Sequence, residues 1–176
     1  MSSGGAVFYY DLASPRAYLA AERVNHALGT VPEWVPVQLG EVGPFRCAQE
    51  VAAYREDIER AARAQGLQPL SWPDPFPSDA SWAMLAATYA KQIGRAVAFS
   101  LAAFRQAFAA GRDLGVRDNV LIAAAACEMH PAAVIKGAEL RGTRARLERA
   151  AEEARAAGVR EVPAVVTTRG EVIDVP

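Results

Sequence analysis

A serine that precedes a proline, directly behind a short aromatic segment, is where this sequence could do chemistry: Asp11-Leu12-Ala13-Ser14-Pro15-Arg16-Ala17-Tyr18. Ser14 stands where an N-cap belongs and Pro15 takes the first helical position. Unpaired backbone N–H groups and the positive end of the macrodipole converge at such a helix start, so an anion, a thiolate included, is stabilised there. Cysteines at helix N-termini become reactive by this route. With a serine in that place, the thiolate has to come from a ligand and the hydroxyl donates a hydrogen bond to it. A plain N-cap with no further role uses the same residues. The second candidate is Val162-Pro163, ahead of the β-branched run Ala164-Val165-Val166-Thr167-Thr168. A proline at a strand's first residue is usually an edge device, and a cis X-Pro bond is found at about 5–6% of such positions.

The elements that must hold these residues read as follows. Residues 6–10 form a short buried strand stopped by Asp11, and a helix over 15–28 shows Tyr18, Leu19, Ala21, Val24 and Leu28 on one face before Gly29. Residues 34–39 form a second strand, with Pro36 marking an edge or a bend. That opening has the spacing of a βαβ unit. From about 43 to 136 the chain is Ala-rich and helical, with a helix between Cys47 and Gly66, a Pro-rich break at 69–78, and helices near 80–93, 95–110 and 117–128. Met129-His130-Pro131 makes the next break, a charged helix follows at about 142–157, and residues 162–168 and 171–175 close the chain as a hairpin around Arg169-Gly170.

Composition narrows the function. The 176 residues carry 19 Lys+Arg against 20 Asp+Glu, a net charge of −1, and the pI is about 6.1, which speaks against a nucleic-acid binder. No apolar run reaches the ~18 residues of a membrane span, and the opening lacks a signal peptide's charged and apolar regions, so a cytoplasmic protein is expected. Cys47 and Cys127 lie far apart, without a C-x-x-C or a neighbouring histidine. Two buried free thiols are expected rather than a redox pair or a zinc site. His26 and His130 have no partners at metal-ligand spacing, so no metal is expected.

Motifs and element order together resemble the thioredoxin superfamily, in the DsbA-like branch with a helical domain inserted after the second strand. Within it the chain most resembles the 2-hydroxychromene-2-carboxylate isomerases and the kappa-class glutathione transferases. Their opening, Asp-Φ-x-Ser-Pro-x-x-Tyr-Leu-Ala, is matched by residues 11–20. Tyr54, Asp57, Arg60 and Ala62 resemble the family's Tyr-x-x-x-Asp-x-x-Arg-x-Ala helix with one residue fewer before the aspartate. Pro75-Phe76-Pro77 resembles its Pro-rich helix entry, and residues 158–164 resemble Gly-Val-Phe-Gly-Val-Pro-Thr, whose proline is cis. The disulfide oxidoreductases of the branch have Cys-Pro-x-Cys where this chain has Ser14 and Ala17, so dithiol chemistry is not available.

The resemblance implies an α/β thioredoxin-like fold, with residues 1–42 and 137–176 as the thioredoxin-like domain and 43–136 as the inserted all-helical domain. It implies glutathione, or another small thiol, with Ser14 activating the sulfur and the backbone of Val162, exposed by a cis Pro163, pairing with the ligand. The implied reaction is cis–trans isomerisation of an aromatic α,β-unsaturated keto acid, or a related transfer. The alternatives are a non-catalytic thioredoxin-like binding module, or a DsbA-like protein without redox cysteines. Several positions depart from the family: Arg160-Glu161 replace Phe-Gly, Ala164 replaces Thr, Asp79 or Ser78 replaces Asn, and no lysine stands near Val51 for the glutathione carboxylates, the nearest being Lys91. The family also continues beyond the position of Pro176 with Trp-Gly-x-Asp-Arg and a final helix. Lower glutathione affinity and a sheet face left for a partner, in a homodimer, are therefore expected. Trp72, Phe76 and Trp82 around the Pro-rich loop, with Asp79, are candidates for an aromatic substrate pocket, with interdomain packing as the competing reading. Asp57 and Arg60 read as a structural ion pair, and the alternating charges of 141–153 as a solvated helix face.

Overall fold

In the computed structural model, which describes residues 5–175, a four-stranded sheet is ordered β2-β1-β3-β4. The strands are β1 (Val7–Tyr10), β2 (Glu33–Pro36), β3 (Ala164–Val166) and β4 (Val172–Ile173). β1 pairs with β2 in parallel and with β3 antiparallel, Tyr9 lying between Val35 and Ala164, and β3 pairs antiparallel with β4. Pro36 sits on an edge strand, where its missing N–H breaks no ladder.

Strand alternation sends β1's side chains to two cores. Phe8 and Tyr10 enter the larger one with Trp34 and the helices; Tyr9 joins Val35, Val37, Ala154, Val159 and Ala164 on the other face. The rings of Phe8, Tyr10 and Trp34 touch, with centroids 4.9–5.6 Å apart. The Tyr10 hydroxyl shares a 2.6 Å hydrogen bond with Ser100 Oγ, both residues fully buried.

Eight helices occupy the described residues: α1 (Pro15–Ala21), α2 (Val24–Ala27), α3 (Ala48–Ala64), α4 (Ser81–Gln92), α5 (Ala96–Phe108), α6 (Arg117–Ala126), α7 (Pro131–Glu139) and α8 (Arg141–Ala156). Alanines let them approach closely. Gly137 of α7 lies against the Tyr89 ring of α4, where a Cβ would overlap the ring. Beside it, buried Thr143 donates through Oγ1 to the Gly137 carbonyl at 2.7 Å.

Four expectations change. The helix expected over 15–28 is two helices, broken at Glu22–Arg23, where both Glu22 oxygens are held by Arg105 of α5 at 2.7 and 2.8 Å. His130-Pro131 is a break that also starts α7: His130 Nδ1 accepts the Ala132 amide at 3.2 Å. On the sheet face expected to be left for a partner chain, Ala150 and Ala154 of α8 pack with Tyr9, Val35 and Val37, while Val172 and Ile173 of β4 stay 41% and 40% exposed. Cys127 is buried as expected, but Cys47 is exposed, at the chain's entry into α3.

Candidate functional site

The turn after β1 is built by local hydrogen bonds. Asp11 Oδ1 accepts the Ala13 amide at 2.8 Å, and the Asp11 carbonyl accepts the Ser14 amide at 3.1 Å. This Asx-type turn brings the chain round into α1. Ser14 has extended backbone and its Oγ accepts the Ala17 amide at 3.2 Å, the N-cap expected from the sequence. Pro15 has no N–H, and the Tyr18 amide bonds the Ser14 carbonyl. Ser14 is 5% exposed, and its hydroxyl proton has no acceptor among the described residues.

Ser14 lines a cavity of about 750 Å³, within the range of small-molecule sites. Its walls come from α1 (Arg16, Leu19, Ala20), α3 (Tyr54, Asp57, Ile58, Ala61), the loop at 39–43, the segment 160–163 and residues 174–175. Val162 and Pro163, joined by a cis peptide, are therefore on the same cavity as Ser14. Val162 is half-buried, and no hydrogen bond engages its amide or carbonyl among the described residues. Backbone groups in this state accept an extended ligand in the manner of an added strand.

The cavity also holds groups that the sequence reading did not assign to it. Asp11 lines it at 5% exposure; burial raises its carboxyl to about 6, opposed by the Ala13 amide. Burial likewise raises the Tyr54 hydroxyl, against the lowering effect of Arg16, whose guanidinium stands 5.8 Å from the Tyr54 ring centroid. Asp57 forms the expected ion pair with Arg60 at 2.9 Å and also lines the cavity. An acidic residue closing a buried strand was the available signal for Asp11. Nothing in the sequence brings α3 or residues 174–175 to Ser14.

The four residues expected to line an aromatic substrate pocket lie outside the walls of this cavity. Trp72 donates through Nε1 to Glu59 at 2.7 Å, and its ring meets Phe76 edge-on at 4.8 Å. The Arg55 guanidinium covers both rings at 5.1 Å. One face of each ring thus meets the guanidinium, and the cluster fastens the Pro-rich loop to α3. Trp82, on α4, carries the Arg117 guanidinium 4.9 Å above its ring. Asp79 accepts the Ser81 amide at 2.9 Å at the start of α4, and hydrogen bonds from Ser81 hold its carboxyl below the usual range. Among the described residues no group of three or more His, Cys, Asp or Glu is placed to hold a metal ion, and no helix is long and apolar enough to cross a membrane.

Several solved structures share this architecture, two of them as follows. A 2-hydroxychromene-2-carboxylate isomerase superposes with a TM-score of 0.81 at 19% identity, over 96% of this chain and 87% of that one. A probable DsbA oxidoreductase from Streptomyces coelicolor superposes with a TM-score of 0.74 at 21% identity, over 96% and 82%. No curated protein matches the chain in sequence. At these identities the superpositions establish the fold, a thioredoxin-like α/β core with an inserted multi-helix segment. Residues 6–175 match the DSBA-like thioredoxin domain, and the chain belongs to that family.

Proposed function

We propose that the cavity binds a small thiol, glutathione or another, and that the protein is a thiol-dependent cis–trans isomerase of an aromatic α,β-unsaturated keto acid, or a related transferase. The observation that carries this reading is the meeting, on one cavity, of a buried serine hydroxyl with an unused proton and the unpaired backbone of Val162. A bound thiol supplies a nucleophilic sulfur whose reversible addition to a conjugated double bond permits rotation before elimination restores it. Ser14 donates its hydroxyl proton to the sulfur and so favours the ionised form. The Val162 amide and carbonyl fix the ligand's peptide-like portion, and Leu19 and Ile58 offer it apolar surface. Positioning of this kind converts an encounter into an intramolecular step.

A non-catalytic binding module is favoured by one observation, the use of Ser14 Oγ as an ordinary helix cap. Isothermal titration with reduced glutathione and with N-acetylcysteinamide, Ser14→Ala alongside, tests the proposal. Saturable thiol binding that is lost in the variant supports it. Binding unchanged by the variant overturns the role of Ser14, and no binding of either thiol at millimolar concentration overturns the thiol site. Turnover of an aromatic unsaturated keto acid by the thiol-loaded protein separates the isomerase from the binding module.

A further inference from the structure

We propose that the thiol this cavity accepts carries no net negative charge, being uncharged or cationic rather than a dicarboxylate such as glutathione. The inference rests on reading the cavity as a thiol site and adds the charge class of the ligand. Three carboxylates on the wall, Glu41, Glu161 and Asp174, take part in no ion pair among the described residues. Asp11 adds a fourth above about pH 6, and Asp57 is neutralised by Arg60. Against these stand the guanidiniums of Arg16 and Arg160; no lysine lines the cavity.

Position sharpens the imbalance. Glu161 is the residue before Val162, so a ligand lying along the Val162 backbone lies beside an acidic residue of the wall. Arg16 is turned to the Tyr54 ring. A ligand with two carboxylates would therefore meet more like charge than opposite charge along this wall, a repulsion that salt screens. The second observation at the site, independent of the acidic wall, is the buried Ser14 hydroxyl with its proton unused. It offers a donor to the ligand's sulfur and requires nothing of the remainder of the ligand's charge.

Two matched pairs of thiols test this by calorimetry at low and high salt: reduced glutathione against its diethyl ester, and N-acetylcysteine against N-acetylcysteinamide. In each pair the form without carboxylates is expected to bind about tenfold tighter or more at low salt, the gap narrowing as salt rises. The double variant Glu161→Gln/Asp174→Asn, both exposed positions, is expected to raise glutathione affinity and leave that of the amide unchanged. Glutathione binding as tightly as its ester overturns the proposal and leaves the thiol site standing. A preference for the ester that neither salt nor the double variant alters also overturns it, since the selection would then be one of shape or apolarity. Failure of all four thiols to bind overturns the underlying reading of the cavity.

Discussion

Replacing Asp11 by asparagine keeps an Oδ1 acceptor for the Ala13 amide, 2.8 Å away, and removes the one buried carboxylate in the β1–α1 turn. The carboxyl is raised from 3.8 to about 6, chiefly by burial, with the Ala13 hydrogen bond opposing. At roughly 1.4 kcal/mol per pH unit, that displacement is worth about 3 kcal/mol. The sign follows from which state holds the proton. Below pH 3.8 the group is protonated in both states and costs nothing. Between there and about 6 the unfolded chain has released its proton and the folded protein has not, so stability falls as pH rises. Above about 6 both states are ionised and the penalty stays constant. Asp11→Asn does not titrate. Its unfolding free energy relative to the wild type should therefore climb by about 3 kcal/mol between pH 3.5 and pH 7.5, a Tm difference of roughly 6–12 °C for a chain of this size. Urea unfolding of both proteins across that range, followed by circular dichroism, measures it. A difference independent of pH, or one that shrinks towards neutrality, refutes the reasoning.

Ser14→Ala removes a cap as well as a proposed ligand contact, so about 1 kcal/mol of stability should be lost in urea unfolding, while Ser14→Asp restores the cap but should not restore thiol binding in calorimetry. Gly137→Ala, which would stabilise an ordinary helix, should here cost about 1–3 kcal/mol because the added methyl overlaps the Tyr89 ring; a rise in Tm would contradict the packing described for α4 and α7. Tyr10→Phe should cost about 1–2 kcal/mol by leaving Ser100 Oγ unpaired in the core. Adding Ser100→Ala should recover part of that loss, a coupling that a double-mutant cycle reads from urea midpoints.

How much of this was legible in the sequence depends on how local the determinants are. The β1 strand, the Ser14-Pro15 cap and the β3–β4 hairpin are written in adjacent residues and were found where expected. His130-Pro131 uses the same cap-then-proline grammar as Ser14-Pro15, yet it reads as a break because imidazole is an uncommon cap. The division of 15–28 into α1 and α2 has no signal at Glu22-Arg23; the grip of Arg105 on Glu22 comes from a helix far along the chain. The candidate site follows the same rule. Ser14, Val162 and Pro163 carry local signatures. Asp11 reveals its character only when burial removes its water, and Tyr54 and Asp174 reach the cavity only through tertiary folding. Trp72 and Phe76 show the converse: aromatic residues beside a Pro-rich loop suit a pocket and a packing cluster equally well, and the Arg55 guanidinium that packs on both rings comes from a helix with no local signal for it.

The rings that fasten the Pro-rich loop to α3 also give the protein an optical gauge. Tyr54, on the cavity wall, stacks on Phe76 with centroids 6.2 Å apart, and Phe76 meets the indole of Trp72. Trp72 in turn touches Phe108, and through Tyr18 and Phe104 the contacts run to Tyr10 and Trp34 at the sheet. An occupant that displaces Tyr54 alters the surroundings of Trp72 two rings away, while Trp34, at the far end of the row, keeps its own. With the third indole, Trp82, replaced by phenylalanine, the emission of Trp72 then reports what enters the cavity and that of Trp34 serves as its internal reference.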